Sequence, residues 1–487
     1  MYFDTLQCGV ERKKQSWREQ MTKIVKIFGK IARHYESPFW GRIYINTESG
    51  LIERVERHDR IDLSGDHMFS TDCLIFPGFG DVHIHARQDQ TGKQNYKETY
   101  STATDAALNG GVVHVSAMPN TPDPVTGGQQ LTWHRAHVFS NNYPVVVLNY
   151  LGIDASTAPL GVLGEFPYKC YFGVSVGTLS VIYASQLDKI LSRYAGQYVS
   201  FHVEYEPIIQ MSKDGKTHSD RRPVQCVNEG LRLLLPLIEK HKIKAKLCHW
   251  STGGDSFELI REYRDHGCHI DLEVSPLHLL FDTDMTVNDP SLWLKVQMNP
   301  AIQHPGHRAD LIQGLKEGFI QFLATDHAPH TLDEKHSAFE KYKDRYSSFA
   351  SNEEVAMRLR DDDPEVFLDA CVKNNHSGAP WLDTYSLICC WLMKHHDFTP
   401  MDIARVAAYN PGRFVNQYLK AQYPGRDFGR GFGDIDVGYM GSLTVLNLEK
   451  TTRVDRKNLK TKVGWSPLEG EEMPGAVEAV FIQGVRQ

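Results

Sequence analysis

The sequence predicts an α/β fold, a (β/α)8 barrel of the TIM type with a small β-sandwich domain built from both chain ends. Three observations carry the expectation. Between residues 72 and 330, short β-branched runs alternate with amphipathic stretches, the pattern of a parallel sheet wrapped by helices. The runs number eight, at 73–85, 112–119, 143–151, 168–173, 198–204, 245–249, 269–275 and 319–326. The flanks at 40–75 and 432–487 read instead as short strands with tight turns.

Helical stretches are expected between the runs at 96–109, 179–194, 224–241, 255–266 and 308–317. In the fourth, Phe257, Leu259, Ile260 and Tyr263 form an apolar stripe at helical spacing. Gly110-Gly111 and Gly267 follow helix ends, where a residue at positive φ commonly stops a helix. Eight strands with intervening helices indicate a closed barrel, with an open doubly wound sheet as the alternative. The expected division is an N-terminal extension at 1–30, a small β domain from 31–75 plus 426–487, and the barrel at 76–425, whose part after 331 is mainly helical.

The chain has 487 residues, 41% of them hydrophobic, enough for at least one large core. A formal charge of −7 and the lack of a long basic run argue against a nucleic-acid footprint or a polybasic membrane anchor. The first 30 residues are charged and lack the apolar core of a signal peptide. No stretch approaches the roughly 20 apolar residues of a membrane span. Nine cysteines lie scattered without a Cys-x-x-Cys pair, which suggests reduced thiols. The expectation is a cytoplasmic protein acting on a small molecule, without nucleic acid or membrane partners, as a homodimer or larger homo-oligomer.

The chemistry is carried by strand ends. Asp81-Val82-His83-Ile84-His85-Ala86-Arg87 closes the first run, and alternate residues of a strand face one side, so His83 and His85 can share a metal. His202, His249 and Asp326 close three further runs. A lone histidine at a strand end is more often packed than ligating. Barrel enzymes, however, assemble their sites from the C-terminal ends of different strands, and four such ends here present imidazole or carboxylate to one rim. Nitrogen and carboxylate donors without thiolates favour zinc or a similar borderline divalent ion. Lys169 lies in the apolar run Tyr168-Lys169-Cys170-Tyr171-Phe172, where a bare ammonium is costly unless it is paired, reaches the rim or is modified.

Taken together, Pro77-Gly78-Phe79-Gly80 with the His-x-His segment, Met118-Pro119-Asn120-Thr121, His249-Trp250-Ser251-Thr252, Met298-Asn299-Pro300 and Asp326-His327-Ala328-Pro329-His330 resemble the dihydroorotase family of cyclic amidohydrolases. The likeness runs from about residue 40 to 485, in family order. It implies two divalent ions, zinc by expectation. His83 and His85 would bind the more buried one, His202 and His249 the other, and an N6-carboxylated Lys169 would bridge them. Asp326 would ligate the first ion and act as the base, with a metal-bridging hydroxide as nucleophile. Arg87, Asn120, Asn299 and His330 would bind substrate, because an arginine fork suits the carboxylate of dihydroorotate.

The implied reaction is the reversible cyclisation of N-carbamoyl-L-aspartate to L-dihydroorotate, a step of pyrimidine biosynthesis. The alternatives are a hydantoinase, dihydropyrimidinase or allantoinase type of cyclic-amide hydrolase and a catalytically silent family member. Two segments depart from the family pattern, Gln88-Asp89-Gln90-Thr91-Gly92 after Arg87 and Ala301-Ile302-Gln303 after Pro300.

Overall fold

The runs expected to be strands are apolar on both faces, and in the computed structural model they are buried on both faces, as a parallel sheet covered by helices requires. The structure describes residues 24–61, 64–173, 179–373 and 376–487. Eight parallel barrel strands follow in chain order: Phe79–Ile84, Val112–Ala117, a third in two pieces (Val146–Asn149 and Leu151–Ile153), Tyr168–Phe172, Tyr198–Val203, Lys244–Leu247, Ile270–Val274 and Phe322–Leu323. The third strand pairs with the second through its first piece and with the fourth through its second. A parallel bridge between Ile84 and His327, with His85 N donating to His327 O at 2.8 Å, joins the eighth strand's continuation to the first and closes the ring.

Helices Tyr100–Asn109, Ala184–Arg193, Val224–His241, Asp255–Asp265 and Pro305–Glu317 occupy the expected intervals. The first starts four residues later than its apolar pattern suggested, because Thr99 caps it by accepting from Thr102 N. Gly111 and Gly267 take φ values of +81° and +90°, the left-handed geometry that ends a helix cheaply only at glycine. Among the described residues no helix is long and apolar enough to cross a membrane.

The two chain ends meet in a single ladder of eight strands. Its central partners are Cys73–Pro77 and Leu443–Arg453, which run antiparallel. Ile27, Ile31, Ile43, Ile75, Val445 and Phe481 form an apolar core for this sheet, separate from the core of the barrel. The strand Ile24–Arg33 begins inside the stretch read as an N-terminal extension; residues 1–23 of that stretch lie outside the described residues. The run at 73–85 is also two elements, not one. Cys73–Pro77 belongs to the small sheet and Phe79–Ile84 to the barrel, with Gly78 between them. Apolar patterning cannot register that change of sheet, because both halves are fully buried.

Gly78 is fixed by its surroundings. A Cβ there would stand 2.4 Å from the Val113 side chain and 2.9 Å from the Ser442 carbonyl oxygen, which already accepts from Gly78 N. Gly78→Ala should therefore destabilise the protein by about 2 kcal/mol through overpacking. Urea denaturation reads this as a lower midpoint, and an unchanged midpoint contradicts the tight junction.

Candidate metal centre

Each of the six expected ligands stands on or just beyond a barrel strand, and all six are buried. His83 Nε2 and His85 Nε2 both lie 3.1 Å from Asp326 Oδ1. His202 Nδ1 lies 3.1 Å from His249 Nε2. The His83 ring centroid is 5.4 Å from those of both His85 and His249, so four imidazoles from three strands make one cluster.

The remaining ring nitrogens settle what faces the centre. His83 Nδ1 donates to Glu273 Oε1 at 2.5 Å, and His85 Nδ1 donates to Asn120 Oδ1 at 2.8 Å. Burial lowers the pKa of His83 to about 4 and that of His85 well below its usual value, with Arg87 and Lys169 adding to the latter. Both rings are therefore neutral near pH 7 and carry their proton on Nδ1. Two Nε2 lone pairs and a carboxylate oxygen then point at one spot, a set that a divalent cation satisfies.

Lys169, on the fourth strand, is fully buried, and its Nζ has no hydrogen-bond partner among the described residues. It lies 5.1 Å from the Tyr171 ring centroid, and its charge acts on His83, His85, His249 and Asp326 alike. Among the described residues, His83, His85 and Asp326 lie close enough together to hold one cation.

The cluster floors a small cleft of about 60 Å³. Its walls include Arg87, Asn120, Tyr171, Met298, Asn299 and Ser377. Arg87 is 4% exposed, and its Nε has no partner among the described residues. Asn120 lines the cleft and orients His85 as well. The oxygen of Asn299 accepts from His218 Nε2 at 3.0 Å and from Ser377 Oγ at 3.1 Å. His330 is not among the lining residues. It stands behind Gly378, with Nδ1 at 3.2 Å from Glu334 and Nε2 unpartnered among the described residues.

No family model matches the chain. It is 26% identical to the dihydroorotase of Pyrococcus furiosus over 444 residues, covering 91% of this chain and 87% of that protein. It is 29% identical to the dihydroorotase of Bacillus subtilis over 453 residues, covering 90% and 91%. Curated relatives of this chain are dihydroorotases. The fold is also that of the L-hydantoinase (dihydropyrimidinase) from Arthrobacter aurescens, with a TM-score of 0.74 at 18% identity and 95% of each chain covered. A D-hydantoinase from a Thermus species matches with a TM-score of 0.69 at 17% identity, covering 95% of this chain and 94% of the other.

Along this dihydroorotase-like chain, sequence reasoning missed three buried residues that hold the cluster. Glu273, from the seventh strand, binds His83 Nδ1, accepts from His249 N at 3.2 Å and forms an ion pair with Lys246. Asp81 accepts from His83 N and from Thr325 N, both at 3.1 Å, which fixes the residue before Asp326. Burial pushes the Asp81 carboxyl up to about 7. The available signal was parity for Asp81, which shares a strand face with His83. Lys246→Met leaves the Glu273 carboxylate without its cation, and breaking such a buried pair costs about 3–5 kcal/mol. Chemical denaturation should show that loss, and a variant as stable as the parent argues against the pair's importance.

Proposed function

We propose that this protein is a metal-dependent dihydroorotase that interconverts L-dihydroorotate and N-carbamoyl-L-aspartate. The observation that carries the reading is one cleft holding both a buried His/Asp cluster and a buried guanidinium, Arg87, with an unpaired N–H. The homology to dihydroorotases over nine-tenths of the chain supports it. In this proposal His83, His85 and Asp326 hold one zinc ion and His202 and His249 the other, with N6-carboxylated Lys169 between them. Bound there, such ions activate water and polarise an amide carbonyl.

The chain's own residues do the rest. Asp326 takes the proton of the attacking water and passes it to the leaving amide nitrogen. Arg87 grips the substrate carboxylate with a planar fork and sets the reacting carbonyl over the cluster. Asn299, whose oxygen is taken up by His218 and Ser377, offers its amide N–H groups, and Asn120 completes the substrate side. All eight described cysteines are free thiols, which supports a reducing, cytoplasmic setting. Assembly into a homodimer or larger homo-oligomer belongs to the same proposal.

The test is metal content and turnover measured together. Two ions per chain, with turnover of dihydroorotate that chelation abolishes and zinc restores, is the expected result. Faster turnover of a 5-substituted hydantoin or of allantoin under the same conditions overturns the substrate assignment. Loss of the base in Asp326→Ala should lower kcat by about 10²–10⁴-fold. Arg87→Ala should raise KM about tenfold to a hundredfold, the loss of a charged hydrogen bond, with kcat little changed. A fall confined to kcat in the arginine variant contradicts a binding role.

A further inference from the structure

One buried polar group on the wall of the cleft has no place in the chemistry above. Tyr171 follows Lys169 by two residues on the fourth strand, so its side chain leaves the same face, one step nearer the rim. The residue is 3% exposed and lines the cleft. Its ring centroid lies 6.5 Å from that of His202. Its hydroxyl is buried and has no hydrogen-bond partner among the described residues. A tyrosine hydroxyl keeps its proton near neutral pH, so the group has a proton to give.

A buried hydroxyl without a partner costs roughly 1–3 kcal/mol of stability. Tyrosine and phenylalanine differ by that oxygen alone, and phenylalanine would fill the same space without the penalty. No acceptor among the described residues lies within hydrogen-bond reach of it. A ligand in the cleft can supply one.

We propose that the Tyr171 hydroxyl is a substrate-binding donor that hydrogen-bonds the carbonyl oxygen of the cyclic amide under attack. The inference rests on the reading of the site as a cyclic-amide hydrolase but is independent of which cyclic amide it prefers. As the carbonyl carbon becomes tetrahedral its oxygen gains negative charge, and a preformed neutral donor stabilises that charge more than the starting carbonyl. The effect accordingly falls on kcat more than on KM.

The experiment compares wild type and Tyr171→Phe as metal-loaded full-length proteins on dihydroorotate, a 5-substituted hydantoin, dihydrouracil and allantoin. On whichever substrate the wild type turns over, the variant should lose about tenfold to a hundredfold in kcat, with KM and metal content unchanged. Without ligand, the variant should melt at the same temperature or higher, because it no longer buries an unpaired hydroxyl. A residue with a structural partner would instead lower the melting temperature. Faster wild-type turnover of a substrate other than dihydroorotate overturns the dihydroorotase reading and leaves the tyrosine comparison intact on that substrate. Equal kcat in the two proteins, loss of metal from the variant, or no turnover of any of the four by wild type overturns the proposal.

Discussion

The Glu273 carboxylate is out of contact with water and serves three strands at once. It holds His83 on the first strand by Nδ1 and the backbone N–H of His249 on the sixth, and it answers the ammonium of Lys246, also on the sixth. Taking two ions into a barrel interior is costly, and their attraction offsets that cost only when the remaining hydrogen bonds are made. Here they are made to the very groups whose orientation matters. The proton on His83 is fixed at Nδ1, so Nε2 faces the centre, and the main chain at His249 is fixed where it leaves its strand.

A second constraint works through the backbone. Arg87, His249 and Asp326 all adopt left-handed φ values, +59°, +36° and +47°, which cost free energy for residues with a Cβ. Each lies two or three residues beyond a strand end, where the chain turns off the barrel rim. The turn throws the side chain inward over the barrel mouth instead of along the strand. Asp81 reinforces one such turn, since its carboxylate binds the backbone and hydroxyl of Thr325 next to Asp326.

Much of this was legible in the sequence, for a physical reason. Strand-end histidines are visible because β periodicity and apolar runs mark where each strand stops, and the barrel rule brings those ends together. The helices were legible for the same reason, with Thr99 trimming one start and the glycines placing the stops. What stayed hidden depends on contacts between distant strands. Nothing local in the run at 269–275 distinguishes Glu273 as the partner of His83, 190 residues away. Nor does patterning show that Pro77-Gly78 divides one buried run between two sheets, or that Asn120 turns its oxygen to His85. His330 is a similar case: its spacing from Asp326 suggested the cleft, and the fold sets it behind Gly378.

The two departures from the dihydroorotase pattern have structural uses. Gln88 accepts from Tyr100 N at the start of a helix, and Asp89 accepts from Thr91 N and Asp123 N, tying the loop after Arg87 to the loop after Asn120. Gln303 turns its amide to the carbonyls of Arg222 and Ala301. Arg87 is thus the one arginine lining the cleft among the described residues. A single guanidinium is sufficient for both directions of the proposed reaction. Dihydroorotate has one carboxylate; N-carbamoyl-aspartate has two, but the second is the group that becomes the ring carbonyl and so belongs over the metal cluster. The carboxylate that survives unchanged on both sides of the equilibrium is the one that needs a dedicated cation, and the cleft supplies one.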